Sequence, residues 1–361
     1  MCAAGWFWCG EARKIHSAMS EKVLPVIDLR LARGSTRPGL VQQLKKALTE
    51  VGFIYLVGVE GYDEEELLRL TKWFFSLPLE MRMRISKKSF NPECEHEYRG
   101  FFPVIPGEVS HKEGFEMGPK VENRPIPAKT VAARLFNEDN QWPTEDPAGD
   151  ANMPKHFRTW MEEYHSNMTE ASLELLRLIA EGFEAPTEFF TPMFTGNHLS
   201  TLRLIHYPPR PNPPEEARDG EYVIQTAEHR DTVMVTLLAT FKDYPGLQVR
   251  WIDDTLLDVP HRPGHLVVNI GALLATISGG KLKATRHRII DCCGDRFSVP
   301  FFLEPRYDAN INVVLPGGTP ELSSDEDECV EYGPWLFKLT TRFAEYRDLI
   351  ERASKESIPA Y

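Results

Sequence analysis

Two histidines and an aspartate are placed where they could share one metal ion. His229 and Asp231 form a His-x-Asp pair, and His287 follows after several strand-like segments. Two imidazoles and one carboxylate are the ligand set that favours non-haem Fe(II) and leaves coordination positions open for chemistry. The pattern alone is weak evidence, because a chain with 11 histidines can contain such a pair by chance. Each histidine could instead be a core residue with a hydrogen-bond partner.

A second polar pair follows His287 in the segment 295–302. Side chains alternate between the two faces of a strand, so Arg296 and Ser298 point the same way. A guanidinium offers a rigid fork of donors and a hydroxyl offers one adaptable donor, which together suit a carboxylate. The alternative for Arg296 is a surface salt bridge. Beside a metal site, the pair predicts an acidic co-substrate.

Motifs along most of the chain resemble those of a known enzyme family. The chain is similar to the isopenicillin N synthase-like branch of the 2-oxoglutarate- and Fe(II)-dependent dioxygenases. The matching segments occur in the family's order, at 24–29, 51–58, 98–102, 112–118, 140–143, 202–209, 263–271 and 285–289. The resemblance implies an oxidoreductase with a double-stranded β-helix, or jelly roll.

The resemblance also assigns roles to the polar residues. It implies that His229, Asp231 and His287 are the catalytic ligands of Fe(II). It further implies that 2-oxoglutarate chelates this metal while Arg296 and Ser298 hold the distal carboxylate of the co-substrate. O2 then occupies the remaining site on the metal.

Tyr207 matches the family position whose hydroxyl supports the same carboxylate, and its alternative is a buried strand tyrosine. The family commonly has Asn where this chain has Ile205, and often has acidic residues where it has His265 and Ala272. We therefore expect the groups around the metal ligands to differ from the family pattern.

The implied reaction consumes O2 and 2-oxoglutarate, releases succinate and CO2, and oxidises a small organic molecule. Hydroxylation is the usual outcome in the family, and desaturation or cyclisation needs only a different substrate pose. Two other functions stay open. One is a 2-oxoglutarate-independent non-haem iron oxidase of the same fold, which can keep the Arg-x-Ser pair. The other is a non-catalytic binding protein that retains the fold. The intact set of metal ligands argues against this second alternative.

The elements that must position these residues can be predicted from periodicity. Apolar residues at helical spacing predict helices over 37–51, 63–76, 155–182 and about 334–354. Short β-branched runs predict strands over 53–57, 201–207, 233–240, 247–251, 265–270, 287–291 and 297–303. The fold class is mostly β with flanking α: a jelly-roll core packed by N-terminal, central and C-terminal helices.

The predicted organisation has five parts along the chain. We expect a flexible N-terminal segment (1–22), an N-terminal non-haem dioxygenase region (23–150), a long packing helix and connector (151–198), the Fe(II)/2-oxoglutarate jelly roll (199–310), and an acidic loop with a C-terminal helix (311–361).

Composition limits the partners of the chain. A formal net charge of -12 argues against nucleic acid or an anionic membrane as the main partner, because both reward a basic surface. Six cysteines over 361 residues lack the spacing of a disulfide framework or a zinc site. We expect a cytoplasmic monomer that acts on a small-molecule substrate.

The substrate pocket is the least predictable part of the site. Aromatic candidates for its lining are Tyr98, Phe101, Phe115 and Phe301, although core packing is the favoured interpretation for each. His111 and Lys112 could meet an anionic substrate, and a solvated loop is the slightly favoured alternative.

Overall fold

The computed structural model describes residues 22–120, 130–242, 244–319, 322, 329–341, 346, 349 and 351. The predicted flexible segment lies outside these residues except for Lys22, and so does the acidic run 325–328. In the described part of the chain, no helix is long and apolar enough to cross a lipid bilayer.

The strands form two sheets. They are β1 (Val26–Asp28), β2 (Phe53–Val57), β3 (Gly100–Phe102), β4 (Glu113–Met117), β5 (Thr201–Tyr207), β6 (Arg218–Asp219), β7 (Tyr222–His229), β8 (Val235–Ala239), β9 (Leu247–Arg250), β10 (Leu256–Asp258), β11 (Leu266–Ile270), β12 (His287–Ile290) and β13 (Arg296–Leu303). The larger sheet has the order β1-β2-β11-β8-β13-β5-β4-β3, and the smaller has the order β10-β9-β12-β7-β6. This arrangement confirms the mostly β jelly roll.

Helices surround the larger sheet. They are α1 (Arg37–Glu50), α2 (Glu64–Ser76), α3 (Leu79–Met83), α4 (Val131–Phe136), α5 (Met153–Gly182), α6 (Ala272–Ile277) and α7 (Tyr332–Thr340). α2 begins where the Asp63 carboxylate accepts a hydrogen bond from the Glu66 amide at 3.0 Å, which satisfies one of the free donors at a helix start. α1 ends before Gly52, whose φ of +75° is a conformation that glycine adopts without steric cost.

Two apolar layers hold the sheets and helices together. One cluster lies between the two sheets and includes Phe53, Tyr55, Val249, Val267 and Ile289. The larger cluster joins the outer face of the large sheet to α1, α2 and α5, with members such as Leu44, Phe74, Leu175, Leu202 and Phe301. Because strand side chains alternate, each strand of the large sheet contributes one face to the helices and the other to the space between the sheets.

Most predicted elements are confirmed, and the exceptions have physical causes. The helices over 37–51, 63–76 and 155–182 correspond to α1, α2 and α5, and each predicted strand has its counterpart. The prediction did not include β3, β4, β6, β7 and β10: β3, β6 and β10 have three residues or fewer, and polar residues interrupt the apolar pattern of β4 and β7. The predicted helix over 334–354 corresponds only in its first part to α7, which ends at Thr340. Much of the remaining range lies outside the described residues.

Candidate metal and co-substrate site

The two candidate histidines face each other across neighbouring strands. His229 is the last residue of β7 and His287 is the first of β12. They are register partners of an antiparallel pair, and their ring centroids lie 4.4 Å apart. Adjacent antiparallel strands therefore bring both histidines together. Asp231 follows β7 by two residues, and one ligand atom from each of the three lies within 4.8 Å of the others.

Hydrogen bonds orient the Asp231 carboxylate. Its Oδ2 accepts from Thr236 Oγ1 at 2.6 Å and from Asn269 Nδ2 at 2.9 Å. Its Oδ1 lies 3.5 Å from His229 Nε2 and 3.7 Å from His287 Nε2. One oxygen is therefore held by the protein while the other faces the imidazoles. Asn269 escaped sequence reasoning because its contact depends on strand order, whereas Thr236 lies only five residues after Asp231.

Backbone carbonyls select the histidine tautomers. His229 Nδ1 lies 2.8 Å from the Ala227 carbonyl oxygen and His287 Nδ1 lies 3.4 Å from that of Thr285. A carbonyl oxygen only accepts, so each Nδ1 carries the proton and each Nε2 presents a lone pair. Burial also lowers the pKa of His287, against the opposing effect of Asp231, and so favours its neutral form.

The charge of Asp231 is maintained despite burial. Burial alone would raise its pKa, but the nearby His287 and His229 and the hydrogen bond from Thr236 outweigh it and lower the pKa of the carboxyl. The donor set is therefore two imidazole nitrogens and one ionised carboxylate oxygen. This set fits Fe(II), which accepts imidazole and carboxylate ligands together.

Arg296 is fully buried at the start of β13. Its Nη1 donates to Ser298 Oγ at 3.2 Å, and its Nε donates to the Pro245 carbonyl oxygen at 3.0 Å. Its guanidinium carbon lies 4.8 Å from the ring centroid of Tyr207, its register partner on β5. Among the described residues, the groups whose charge or hydrogen bonds shift the pKa of Arg296 include no carboxylate. A buried cation without an anion is costly, so the cluster is suited to a ligand carboxylate.

Lys112 connects this cluster to the metal-binding residues. Burial would raise the pKa of Tyr207, but the cations of Lys112 and Arg296 lower it. The charge of Lys112 also acts on His287. Lys112 is partly exposed just before β4 and lines a cavity together with His229 and Asp231, so it can face a ligand there. His111 does not line this cavity, and its backbone amide donates to the Gln225 carbonyl oxygen at 3.1 Å.

The cavity has a volume of about 530 Å³, within the usual range for small-molecule sites. Of the predicted aromatic candidates, Tyr98 lines it, whereas Phe101, Phe115 and Phe301 are fully buried in the core. Sequence reasoning missed the lining residues Phe90 and Tyr346, and also Phe102 and Phe302, which each lie one residue after the candidates Phe101 and Phe301. Alternation could have found Phe102 and Phe302, since they point to the face opposite their buried neighbours. Tyr207, Arg296 and Ser298 lie beside this cavity and do not line it.

Comparisons with known proteins agree with this geometry. Residues 198–305 match the model of the 2OG-Fe(II) oxygenase superfamily. Residues 24–145 match the N-terminal region of the non-haem dioxygenases in morphine synthesis. The metal-binding candidates and the Arg-x-Ser pair all lie in the first of these matches.

Curated relatives and solved structures cover most of the chain. A 2-oxoglutarate-dependent dioxygenase of Gibberella zeae is 30% identical to this chain, and the alignment covers 84% of this chain and 81% of the Gibberella zeae protein. Isopenicillin N synthase of Streptomyces clavuligerus is 26% identical, covering 87% of this chain and 93% of the synthase. A Neurospora crassa protein solved with alpha-KG and thymine superposes with a TM-score of 0.69 at 22% identity, over 91% of this chain and 100% of that chain.

These findings confirm the predicted reaction class, its metal and its co-substrates. The similarity spans both the N-terminal region and the jelly roll, and His229, Asp231 and His287 form a candidate iron site within it. The chain therefore belongs to the 2OG-Fe(II) oxygenase superfamily and is a dioxygenase that depends on Fe(II), 2-oxoglutarate and O2.

Proposed function

We propose that this dioxygenase hydroxylates a small organic molecule, with His229, Asp231 and His287 as the ligands of Fe(II). In this proposal Arg296 and Ser298 bind the distal carboxylate of 2-oxoglutarate. The observation that carries it is the burial of Arg296 without a carboxylate among the described residues. Such a guanidinium is stabilised when a dicarboxylate binds beside the metal.

Each protein group has a distinct task in the reaction. Bound Fe(II) supplies the redox chemistry by which O2 and 2-oxoglutarate yield succinate, CO2 and an oxidised substrate. The two imidazoles and Asp231 would hold the metal on one side, and Asn269 and Thr236 keep the Asp231 carboxylate oriented. Holding reactants in a fixed orientation away from water is the main contribution of the protein in such sites.

The distal carboxylate would meet a preformed set of donors. Arg296 is held in place by Pro245 and by the ring of Tyr207, and it already contacts Ser298. We assign the Tyr207 hydroxyl to the same carboxylate. Lys112, beside Tyr207, would add positive charge near the co-substrate.

A small substrate agrees with the cavity volume of about 530 Å³ and with the thymine bound by the Neurospora crassa relative. Action as a monomer, in the cytoplasm and without a nucleic-acid partner remains our prediction from composition. So does the division of the chain into the five parts given above.

The test is the stoichiometry of turnover. The Fe(II)-loaded protein is incubated with 2-oxoglutarate and a metabolite library, and succinate, O2 consumption and new hydroxyl-bearing products are measured together. We expect one succinate per product formed, and an Arg296→Ala variant that needs more 2-oxoglutarate for the same rate. Product formation that consumes O2 without succinate would instead identify a 2-oxoglutarate-independent oxidase.

A further inference from the structure

The cavity has a charged wall away from the metal-binding residues. Arg203 on β5 and Glu116 on β4 are register partners, and both line the cavity. Arg203 shares a strand face with Tyr207 and precedes it by four residues, which corresponds to roughly 13 Å along a strand. The wall therefore lies on the side of the site where a substrate, rather than 2-oxoglutarate, would be held.

Two cations in this wall share one anion. The Glu116 carboxylate contacts Arg203 through Oε1 and lies 2.6 Å from Lys87 Nζ through Oε2. Burial would raise the pKa of Glu116, but Arg203 and Lys87 lower it to about 2, so it is ionised. Glu116 and Lys87 are 2% and 1% exposed. The trio therefore carries a net positive charge, and Arg203, whose side chain is 29% exposed, is the member that a ligand in the cavity can reach.

Neighbouring groups leave this positive charge in place. Arg99 and Glu304 are joined through Thr201, whose hydroxyl accepts from Arg99 Nη1 at 2.8 Å and donates to Glu304 Oε2 at 2.9 Å. Arg99 balances the charge of Glu304 when that carboxyl is ionised. Burial raises the pKa of Glu304, which favours its neutral form. Among the described residues, the other charged side chains of the cavity outside the metal ligands are Lys112, Arg230 and Glu108, which together are also positive.

The Arg203 guanidinium is held between two aromatic rings. Its Cζ lies 5.2 Å from the ring centroid of Phe302 and 5.8 Å from that of Phe102. Gly114 makes room for the second ring, because a Cβ there would lie 2.4 Å from Phe102 Cζ. The Nε of Arg203 finds no hydrogen-bond partner among the described residues. A planar cation held in this way is preorganised for a planar anion.

From these observations we propose that Arg203 binds a carboxylate of the substrate, so that the chain oxidises small organic acids. The carbon skeleton of the acid would extend from Arg203 between Phe102 and Phe302 toward the metal-binding residues. A neutral amide is disfavoured, because it brings no negative charge to offset the net positive charge of Arg203, Lys87 and Glu116. This substrate class rests on the proposed function and makes it more specific.

The test compares acids with their own amides. Aliphatic and aryl-substituted carboxylic acids, each paired with the primary amide of the same skeleton, are added to the Fe(II)- and 2-oxoglutarate-loaded protein. Two quantities are recorded. One is the rate of succinate formation above that without added compound, and the other is the shift, under nitrogen, of the visible charge-transfer band that 2-oxoglutarate gives with the Fe(II)-loaded protein. We expect at least one acid to produce both effects and its amide to need about 10- to 100-fold higher concentration, the usual consequence of losing a hydrogen-bonded charge.

Variants of Arg203 then link the effect to this wall. We expect Arg203→Gln to raise the KM for the acid by a similar factor and Arg203→Lys to restore part of the loss. Arg218→Gln, an exposed arginine on β6, is the matched control. The proposal is overturned if no acid acts, if amides act as well as acids, or if Arg203→Gln leaves the KM for the acid unchanged. If the charge-transfer band of 2-oxoglutarate is present in the same samples, the proposed function still holds and only the substrate class is overturned.

Discussion

His229 and His287 are register partners on adjacent antiparallel strands, with ring centroids 4.4 Å apart. The pairing of β7 with β12 therefore brings the two imidazoles together before any metal binds. Hydrogen bonds from Asn269 and Thr236 then hold Asp231 toward the same space. The metal-binding geometry is thus largely a property of the folded chain, which lowers the cost of ordering the ligands on binding.

Removing a metal ligand should abolish activity. His229→Ala or Asp231→Ala leaves too few donors to retain Fe(II), and we expect iron content and succinate formation to fall to background. Iron per protein chain, measured by elemental analysis after desalting, checks this. His156→Ala removes an exposed histidine that pairs with Glu66 and should retain iron. Full activity in either ligand variant would rule out the metal assignment.

Loss of the Asn269 amide should weaken metal binding without abolishing it. The amide orients Asp231, and such supporting contacts are typically worth about 10- to 100-fold in metal affinity. We expect Asn269→Ala to bind Fe(II) more weakly by that factor while reaching the same occupancy at saturation. Competition with a calibrated chelator measures the affinity. An affinity equal to that of the wild-type protein would show that the amide does not position the carboxylate.

Arg296→Ala should chiefly weaken 2-oxoglutarate binding. Truncating one partner of a buried charged pair costs roughly 2–5 kcal/mol, so the dissociation constant should rise about 30-fold or more. Ser298→Ala removes a single hydrogen bond and should cost about 1 kcal/mol. Calorimetric titration of the metal-loaded variants compares them. The assignment fails if Ser298→Ala has the larger effect or if both variants bind like the wild-type protein.

His206 should make stability depend on pH above neutrality. Its Nδ1 lies 2.8 Å from Glu113 Oε1 and its Nε2 lies 2.7 Å from Asp295 Oδ1. Burial lowers the pKa of His206, but the two carboxylates outweigh this and raise it above the ordinary value. Its stabilising contribution is therefore fully present below the unfolded pKa of about 6.5 and is lost as pH rises through the folded pKa.

The measurement is the free energy of unfolding of the wild-type protein and of His206→Gln, taken from about pH 5.5 to about pH 9. We expect the stability difference between them to be largest at the acidic end and to shrink with rising pH. A difference that grows with pH would contradict the raised pKa.

Sequence reasoning located the residues whose patterns are local. His229 with Asp231 and Arg296 with Ser298 lie two residues apart in the sequence, and strand alternation placed Arg296 and Ser298 on one face. The long helix α5 was equally accessible, because its apolar stripe repeats over many turns. These features depend on few assumptions about tertiary structure.

Contacts that depend on strand order could not be predicted in the same way. Asn269 reaches Asp231 only because β11 lies beside β8 in the large sheet, and Arg203 meets Glu116 only because β5 pairs with β4. The strand β7 was missed because polar residues such as Gln225 and Thr226 break its apolar run. Short apolar runs do not specify their neighbours, so the register remained open until the fold was known.

The most direct test of the central claim is an anaerobic titration of the Fe(II)-loaded protein with 2-oxoglutarate, followed by visible absorption. If His229, Asp231 and His287 hold the metal and Arg296 holds the co-substrate, a charge-transfer band should grow to saturation at one equivalent per iron. Arg296→Ala should shift the midpoint to higher concentration. Absence of the band in iron-loaded wild-type protein, or an unchanged midpoint in Arg296→Ala, would contradict the account.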